Sequence, residues 1–337
     1  MHMAGYTSFD NVEVTAACDP DAGRLEAFGS KYGVQRLYAN YNDMLKKEEL
    51  DGVSICTWNN SHAPVAIAAL EAGKNVLCEK PMAMNVKEAE EMRDAAKKAG
   101  KLLMIGFVRR FGKETGICRE FIDKGHLGDI YYAKASYLRR CGNPGGWFAD
   151  MKRSGGGPLI DLGVHVIDQV RYLMGKPKAV SVSAVTFNNI GMRYEIKGIE
   201  RYKASDYNSY CDVEDMASAL IRFDNGAALA VETSFSLNIR EDSANLELFG
   251  TKAGARLEPK LEIYSQMEDY LVDISPRYHK GEKVFEEIFT SETAHFVDCI
   301  ANGTDCISPA QDGVELMKIL EAAYTSAKDG KEVVINK

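Results

Sequence analysis

The chain has 337 residues, which is enough for two domains of ordinary size. Its formal net charge is −8 and its pI is about 5.4, and no apolar stretch of about 18 residues occurs, so we expect neither a nucleic-acid partner nor a membrane partner. The eight cysteines form no C-x-x-C pair, a pattern that fits a reducing cytoplasm better than a disulfide-stabilised secreted protein.

The first 120 residues alternate predicted strands with predicted helices. Apolar runs bounded by turn residues predict strands at 12–18, 52–57, 76–79 and 102–107. Capping residues and glycines bound the helices predicted at 21–32, 61–72 and 86–99. This alternation of apolar strands and helices indicates a parallel sheet that is covered on both faces.

The pattern changes after this region. Helices are predicted at 113–124, 157–174, 291–302 and 309–328, and strands at 129–138, 179–186, 216–223, 227–237 and 244–249. Because several strands follow one another without a helix between them, we expect an antiparallel sheet and a second domain of α+β type. Residues 188–212 show no clear period and are interpreted as a long loop over the sheet or near the site.

Asp19 follows the predicted strand 12–18. In a dinucleotide-binding unit an acidic residue stands about 20 positions after a glycine-rich turn, where it accepts hydrogen bonds from the adenosine ribose and repels a 2′-phosphate. Asp19 is predicted to take this role, which favours NAD over NADP, and a surface turn residue is the alternative. No G-x-G-x-x-G precedes Asp19, and residues 1–9 fit the end of a first helix. We therefore expect the chain as given to lack the first strand and the glycine-rich loop.

A polar run, residues 57–62, follows the second predicted strand. Ligands of open α/β sheets bind at the carboxyl ends of the strands, so Thr57, Asn59 and His62 are candidates for cofactor contact. A partner of the helix cap is the alternative for His62.

Two further runs carry the residues that could perform chemistry. Glu79-Lys80-Pro81 ends the third predicted strand, and the glycines 155–157 lead into the helix that carries Asp161 and His165. Residues four positions apart share a helix face. A lysine, an aspartate and a histidine brought together can move a proton to or from an alcohol at neutral pH.

His165 is predicted to be the general base, because the pKa of histidine lies near neutral pH. Asp161 is predicted to orient the substrate or the imidazole. Two alternatives are open for the pair. It could bind a metal, although no third ligand with suitable spacing is visible and we predict no metal site, or it could be a surface pair.

The order and spacing of these runs resemble the Gfo/Idh/MocA family of sugar and cyclitol dehydrogenases, over essentially the whole chain. The resemblance implies that Glu79 contacts the nicotinamide ribose and that Lys80 reaches both the nicotinamide and the substrate hydroxyl. Residues 57–62 resemble the Thr-Pro-Asn segment of the family, with Trp58 in place of the usual proline.

Three more residues match positions of the family pattern. Arg109 and Arg110 match the Arg-Phe end of the last Rossmann strand, which implies contact with the cofactor for Arg109 and with the substrate for Arg110. An ordinary surface arginine pair is the alternative. Trp147 matches a tryptophan often found before the glycine run in the family. Because an aromatic face packs well against a sugar or a nicotinamide ring, it is a candidate for substrate contact, and a tryptophan of the core is its alternative.

The implied fold is α/β plus α+β: a Rossmann-like parallel-sheet domain over residues 1–120, then a mostly antiparallel open-sheet domain over 121–337, with helices 291–328 packing back on the first domain. The implied activity is NAD(P)-dependent hydride transfer to or from a secondary hydroxyl of a sugar, cyclitol or glycoside, in a homodimer or homotetramer formed through the second sheet. The alternatives are a glycosidase or lyase that uses bound NAD as a hydride shuttle, a sugar-sensing regulator without activity, and an inactive shortened chain.

Overall fold

Short parallel strands and their connecting helices make up the first part of the chain. The computed structural model describes residues 1–279 and 284–335. Strands β1 (Ala16–Cys18) and β2 (Arg36–Tyr38) pair in one sheet, and β3 (Gly52–Ile55), β4 (Asn75–Cys78) and β5 (Leu103–Ile105) form a second sheet in that order. The helices are α1 (His2–Tyr6), α2 (Ala22–Tyr32), α3 (Tyr41–Lys47), α4 (Asn59–Glu71) and α5 (Val86–Ala99).

Helix caps explain why the predicted bounds of α2 and α5 are confirmed. The side chain of Asp21 accepts a hydrogen bond from the Arg24 backbone N–H, and Asn85 caps α5 in the same way. Gly33 and Gly100 end these helices in the left-handed conformation. By contrast, strand 12–18 is regular only at 16–18, and α4 begins two residues earlier than predicted.

The second part of the chain is built on one large sheet. Its elements are α6 (Lys113–Asp123), β6 (Ile130–Leu138), α7 (Met151–Ser154), α8 (Val164–Leu173), β7 (Ala179–Phe187), β8 (Met216–Phe223), β9 (Ala228–Ser234), β10 (Ser243–Gly250), β11 (Ala253–Glu258), β12 (Glu262–Met267), β13 (Tyr270–Ile274), α9 (Val284–Asn302), α10 (Ala310–Asp329) and β14 (Val333–Val334). The sheet order is β13-β12-β11-β10-β6-β9-β8-β7-β14, and among its pairs only β6 and β9 run parallel. The predicted fold class, a parallel-sheet unit followed by a mostly antiparallel sheet, is confirmed.

The two parts are joined by packed helices. Helix α10 lies against β7 of the large sheet and also against α5, while α9 lies against α1. The large sheet buries alternate residues, such as Ala217, Ala219 and Ile221 of β8, beneath the helices on one face. None of the described helices is both long enough and apolar enough to cross a lipid bilayer.

The helix predicted at 157–174 is not continuous. Residues Leu159–Gly163 form a π-helical turn, and α8 begins only at Val164. A π-helical turn holds one more residue between its hydrogen-bonded groups than an α-helical turn does, and such turns occur frequently at functional sites. Residues 188–212 contain neither helix nor strand, as predicted.

Candidate active site

Lys80 and Asp161 join the two parts of the chain. The Lys80 side chain donates hydrogen bonds from Nζ to the backbone carbonyl of Asp161 at 2.9 Å and to Oδ1 of the Asp161 carboxylate at 2.8 Å. Both side chains are 15% exposed, so the pair is reachable from solvent yet largely desolvated. Lys80 follows β4, and its peptide bond to Pro81 is cis.

The glycine run is held against the rest of the site by one buried carboxylate. Glu214 accepts hydrogen bonds from the backbone N–H groups of Gly157 and Leu159, at 2.9 and 3.1 Å, and from the Tyr324 hydroxyl at 2.9 Å. A Cβ atom at Gly157 would overlap the backbone carbonyl oxygen of Glu214, so only glycine allows this approach. The entry into the π-helical turn that carries Asp161 is thereby fixed.

His165 lies at the start of α8, one turn beyond Asp161, and is half-buried. Burial, together with the positive charges of Lys80, Arg109 and Arg139, places the pKa of His165 well below its usual value. At neutral pH the imidazole is therefore uncharged and able to accept a proton. It makes no hydrogen bond to any residue that the structure describes, which leaves it free to bind a hydroxyl group.

The two arginines whose charges act on His165 both contact one tyrosine. The guanidinium groups of Arg109 and Arg139 lie over the ring of Tyr137, 5.0 and 5.1 Å from its centroid. Nη1 of Arg109 also donates to Glu258 Oε1 at 2.6 Å. Sequence reasoning missed Tyr137 and Arg139. The available signal was an aromatic residue and an arginine at the carboxyl end of a predicted strand.

Glu79 lies beside Lys80 with both carboxylate oxygens occupied. His2 contacts Oε1 through Nε2 at 3.0 Å, and the Lys80 backbone N–H donates to Oε2 at 3.1 Å. Burial favours a raised pKa for Glu79, but the hydrogen bond and charge of His2 and the charge of Lys80 outweigh it, and the pKa is lowered. Glu79 is therefore an ionised carboxylate next to the lysine ammonium.

Asn59 and His62 brace the site from α4. The Asn59 amide donates to the Ser154 carbonyl at 2.7 Å, immediately before the glycine run. The His62 ring is 1% exposed, with Nδ1 2.7 Å from the Pro81 carbonyl and Nε2 3.2 Å from the Thr57 carbonyl. The ring is enclosed and faces backbone carbonyls, which supports the alternative structural interpretation of His62 rather than cofactor contact.

Arg110 also has a different place from the predicted one. Its guanidinium is fully buried, paired with Asp168 at 2.6 and 2.9 Å and with Asp312 at 2.8 Å. Asp312 receives a further ion pair from Lys176 at 2.6 Å. Because these salt bridges connect α8 and α10 and the rings of Phe107 and Tyr172 cover the same cation, the structure gives no support to the predicted substrate contact.

The residues expected on the adenosine side lie at an exposed edge. Asp19 accepts a hydrogen bond from the Asp21 backbone N–H at 2.8 Å, and its carboxylate lies 3.5 Å from the Arg24 guanidinium. Arg24 also reaches Ser205 Oγ at 3.4 Å, in the loop 188–212. The carboxylate of Asp19 remains 36% exposed and can accept a ligand hydroxyl.

The same loop touches the segments around Trp58 and Trp147. Asp206 accepts from Arg153 at 2.5 Å and from the Trp147 backbone N–H at 3.3 Å, while the Arg153 guanidinium lies 4.8 Å from the Trp58 ring centroid. Trp147 is half-buried and packs on Phe148. No described contact joins Trp147 to Lys80, Asp161 or His165, and its substrate role stays a prediction.

The polar residues at the ends of the parallel strands fit a nicotinamide dinucleotide. Asp19 follows β1, Thr57 follows β3 and is exposed, and Glu79 and Lys80 follow β4. Two carboxylates that can accept hydrogen bonds from hydroxyl groups therefore stand at the carboxyl ends of parallel strands. Asp19 would hold the adenosine ribose, and Glu79 would hold the nicotinamide ribose through the second lone pair of an oxygen that already contacts His2 or Lys80. The nicotinamide end would face the Lys80, Asp161 and His165 group.

Comparisons with known proteins identify the family of the chain and its type of cofactor-binding domain. Residues 1–107 match the model of the oxidoreductase family with an NAD-binding Rossmann fold, and residues 119–335 match the C-terminal alpha/beta domain of the same family. D-glucoside 3-dehydrogenase of Escherichia coli (strain K12) is 36% identical over 99% of this chain and 93% of that protein. The scyllo-inositol 2-dehydrogenase (NAD(+)) of Bacillus subtilis (strain 168) is 28% identical over 98% of this chain and 91% of that protein.

A solved structure extends the likeness to the whole fold. The crystal structure of an oxidoreductase domain protein from Kribbella flavida aligns with a TM-score of 0.86 and 28% identity, covering 100% of this chain and 96% of that chain. With both family models matched and a relative above 30% identity over nearly the full length, the chain belongs to the Gfo/Idh/MocA oxidoreductase family.

Proposed function

We propose that this protein is an NAD-dependent dehydrogenase that oxidises a secondary hydroxyl of a D-glucoside or a closely related sugar. The observation that carries the proposal is the contact of Lys80 Nζ with Asp161, beside an uncharged His165. Oxidation of an alcohol requires a neutral base that accepts the hydroxyl proton and a fixed cation that stabilises the negative charge on the oxygen.

The side chains divide the work as follows. His165 accepts the hydroxyl proton on an imidazole nitrogen, since its lowered pKa keeps the ring uncharged at neutral pH. The Lys80 ammonium donates a hydrogen bond to the hydroxyl oxygen and stabilises the negative charge that develops there, and Asp161 holds the ammonium in place. When bound, NAD supplies the hydride acceptor.

The choice of a glucoside rests on the 36% identical relative, which is named a D-glucoside 3-dehydrogenase. Arg109 and Arg139, whose charges reach His165, carry N–H groups that can donate hydrogen bonds to the hydroxyl groups of a sugar. The test is a panel of D-glucosides, free hexoses and inositols incubated with NAD, with NADH formation recorded by absorbance. We expect D-glucosides to give the highest kcat/KM.

Two outcomes would contradict the proposal in different ways. Faster oxidation of an inositol would move the substrate to the cyclitols and leave the hydride chemistry intact. Cleavage of the glucoside without stoichiometric NADH would point to the alternative in which NAD shuttles a hydride internally. Analysis of the products by mass spectrometry separates these cases.

We also infer a homo-oligomer formed through the face of the large sheet that is opposite to α8 and α10. Tyr132 and Phe249 stack on this face at 5.7 Å, and Val185 and Phe187 are 48% and 44% exposed. Exposed apolar side chains on an open sheet face are typical of protein interfaces. Light scattering after size exclusion tests the inference: Phe249→Glu should lower the measured mass to that of one chain, and a wild-type monomer would refute it.

All eight cysteines are free in the structure. Free thiols persist in reducing compartments, which supports the expected cytoplasmic location. Fractionation of the host cell, followed by detection of the protein in the cytosolic fraction, is the corresponding test.

A further inference from the structure

A histidine and two cysteines converge at the end of α9, outside the site described above. His295 and Cys299 are four residues apart on this helix and therefore share one face. Cys306 comes from the segment that follows the helix. One potential ligand atom from each of the three residues lies within 4.8 Å of the other two, and all three side chains are partly exposed.

The spacing matches that of a metal centre. His295 Nε2 lies 3.5 Å from Cys299 Sγ. In a tetrahedral zinc site, with Zn–N about 2.0–2.1 Å and Zn–S about 2.3 Å, the nitrogen and sulfur ligands stand about 3.6 Å apart. The pair already has this separation, and Cys306 adds a second thiol from another segment.

The ligand types select the metal. Thiol and imidazole ligands suit zinc and similar borderline-soft cations, whereas calcium and magnesium prefer oxygen ligands. We propose that His295, Cys299 and Cys306 form a binding site for a divalent cation of the zinc class, with a fourth position open to water. Both cysteines bind as thiolates, and their protons pass to solvent.

The surroundings indicate what the site would do. His295 Nε2 now accepts a hydrogen bond from the Ile307 backbone N–H at 3.0 Å, and binding exchanges that bond for a metal–nitrogen bond. The Ile307 carbonyl in turn accepts from Arg110 and from Lys176. A metal would therefore fasten the segment after α9 to the helix, beside the buried salt bridges.

A disulfide between Cys299 and Cys306 is the competing interpretation. It would use both sulfur atoms and leave the imidazole nitrogen with its hydrogen bond from the Ile307 backbone N–H alone, although that nitrogen also lies at ligand distance from Cys299. The convergence of three atoms rather than two is what favours a metal.

Cobalt substitution tests the proposal without relying on activity. The protein is stripped with a chelator under reducing conditions and titrated with Co²⁺. We expect a single equivalent to produce the thiolate-to-cobalt charge-transfer band and the intense visible bands of tetrahedral cobalt, and Zn²⁺ to abolish both. Zn²⁺ should also raise the Tm of the stripped protein, because the folded site, where the three ligands converge, binds it more tightly than the unfolded chain does.

Variants locate the metal. Cys299→Ser and Cys306→Ser should each weaken or abolish the charge-transfer band, while Cys211→Ser, a half-buried cysteine in another segment, should keep it. Circular dichroism confirms that each variant is folded. The proposal is overturned if wild-type protein shows no tetrahedral cobalt bands, if the bands persist in both ligand variants, or if oxidation joins Cys299 to Cys306 in protein that takes up no metal.

Discussion

The ammonium group of Lys80 donates hydrogen bonds to both the backbone carbonyl and the carboxylate of Asp161, across a sequence separation of 81 residues. Lys80 leaves the end of a parallel strand, and Asp161 stands in a π-helical turn of the second part of the chain. Because the lysine is held at two points, its charge is oriented before any substrate arrives, and this reduces the reorganisation that a reaction would require.

Replacing Lys80 should therefore remove activity without unfolding the protein. For Lys80→Ala we expect kcat to fall by roughly 10²–10⁴-fold, the usual contribution of a group that assists proton transfer. Lys97→Ala, a change of an exposed lysine on α5, is the matched control and should leave kcat unchanged. A Lys80→Ala enzyme within threefold of wild type would exclude Lys80 from the mechanism.

The lowered pKa of His165 predicts an unusual pH profile. The base must be unprotonated, so kcat/KM for oxidation should fall as the pH drops through the pKa of His165, and the midpoint should lie below the usual value of 6.5. Arg139 is one of the charges that lower this pKa, after burial and together with Lys80 and Arg109. Arg139→Gln should therefore move the midpoint to higher pH. An unchanged midpoint in that variant would mean that another group controls the profile.

Gly157 allows a test of the close contact between the glycine run and Glu214, which fixes the turn that carries Asp161. In Gly157→Ala the new methyl group would overlap the Glu214 backbone, so we expect the free energy of unfolding to fall by about 1–3 kcal/mol. Activity should fall as well, because the turn that carries Asp161 must shift. Gly116→Ala is the contrast: it lies in α6 with open space around it, and should gain up to about 1 kcal/mol from helix propensity. Equal effects of the two changes in urea denaturation would refute the steric argument.

Much of the fold was predictable because its longer elements carry clear local signals. The helices α2 and α5 have side-chain caps and terminal glycines, and β8 has both the predicted bounds and strict alternation of buried residues. The missed elements are short or lie near the sheet edge. Strands β11 to β13 are 5 or 6 residues long, and β2 has 3, which is too few residues for a period to stand out.

The sequence predicted the candidate site only where chemically suited residues stood at distinctive positions in a run. Lys80, Asp161 and His165 were expected together because two distinctive runs ended in chemically suited residues. The burial of Arg110 and His62 was not predictable, because burial by distant segments leaves no local signal in the sequence. The loop over 188–212 was recognised as irregular, but its contacts with Arg24 and Arg153 depend on tertiary packing.

Cofactor preference should follow the carboxylate of Asp19. It would lie against the 2′-phosphate of NADP, so kcat/KM with NAD should exceed that with NADP. Asp19→Ala should reduce the ratio of kcat/KM with NAD to kcat/KM with NADP, because it removes the repulsion of the 2′-phosphate. The change should also free Arg24, which lies 3.5 Å from Asp19, to bind that phosphate, and this would reduce the ratio further. Initial rates with both cofactors give the ratio directly. A wild-type preference for NADP would show that Arg24 rather than Asp19 determines the selectivity.

Arg110 should matter for stability far more than any exposed arginine. Its guanidinium is fully buried and pairs with Asp168 and Asp312, so Arg110→Ala would leave two buried carboxylates without their main partner. Removing one member of a buried ion pair typically costs about 3–5 kcal/mol. Arg222→Ala removes a solvent-exposed pair with Glu332, where screening limits the loss to about 0–1 kcal/mol. Guanidinium chloride itself screens charges, so urea denaturation is the appropriate measurement. If Arg110→Ala were no more destabilising than Arg222→Ala, the ion pairs that connect α8 and α10 would not be what stabilises this part of the fold.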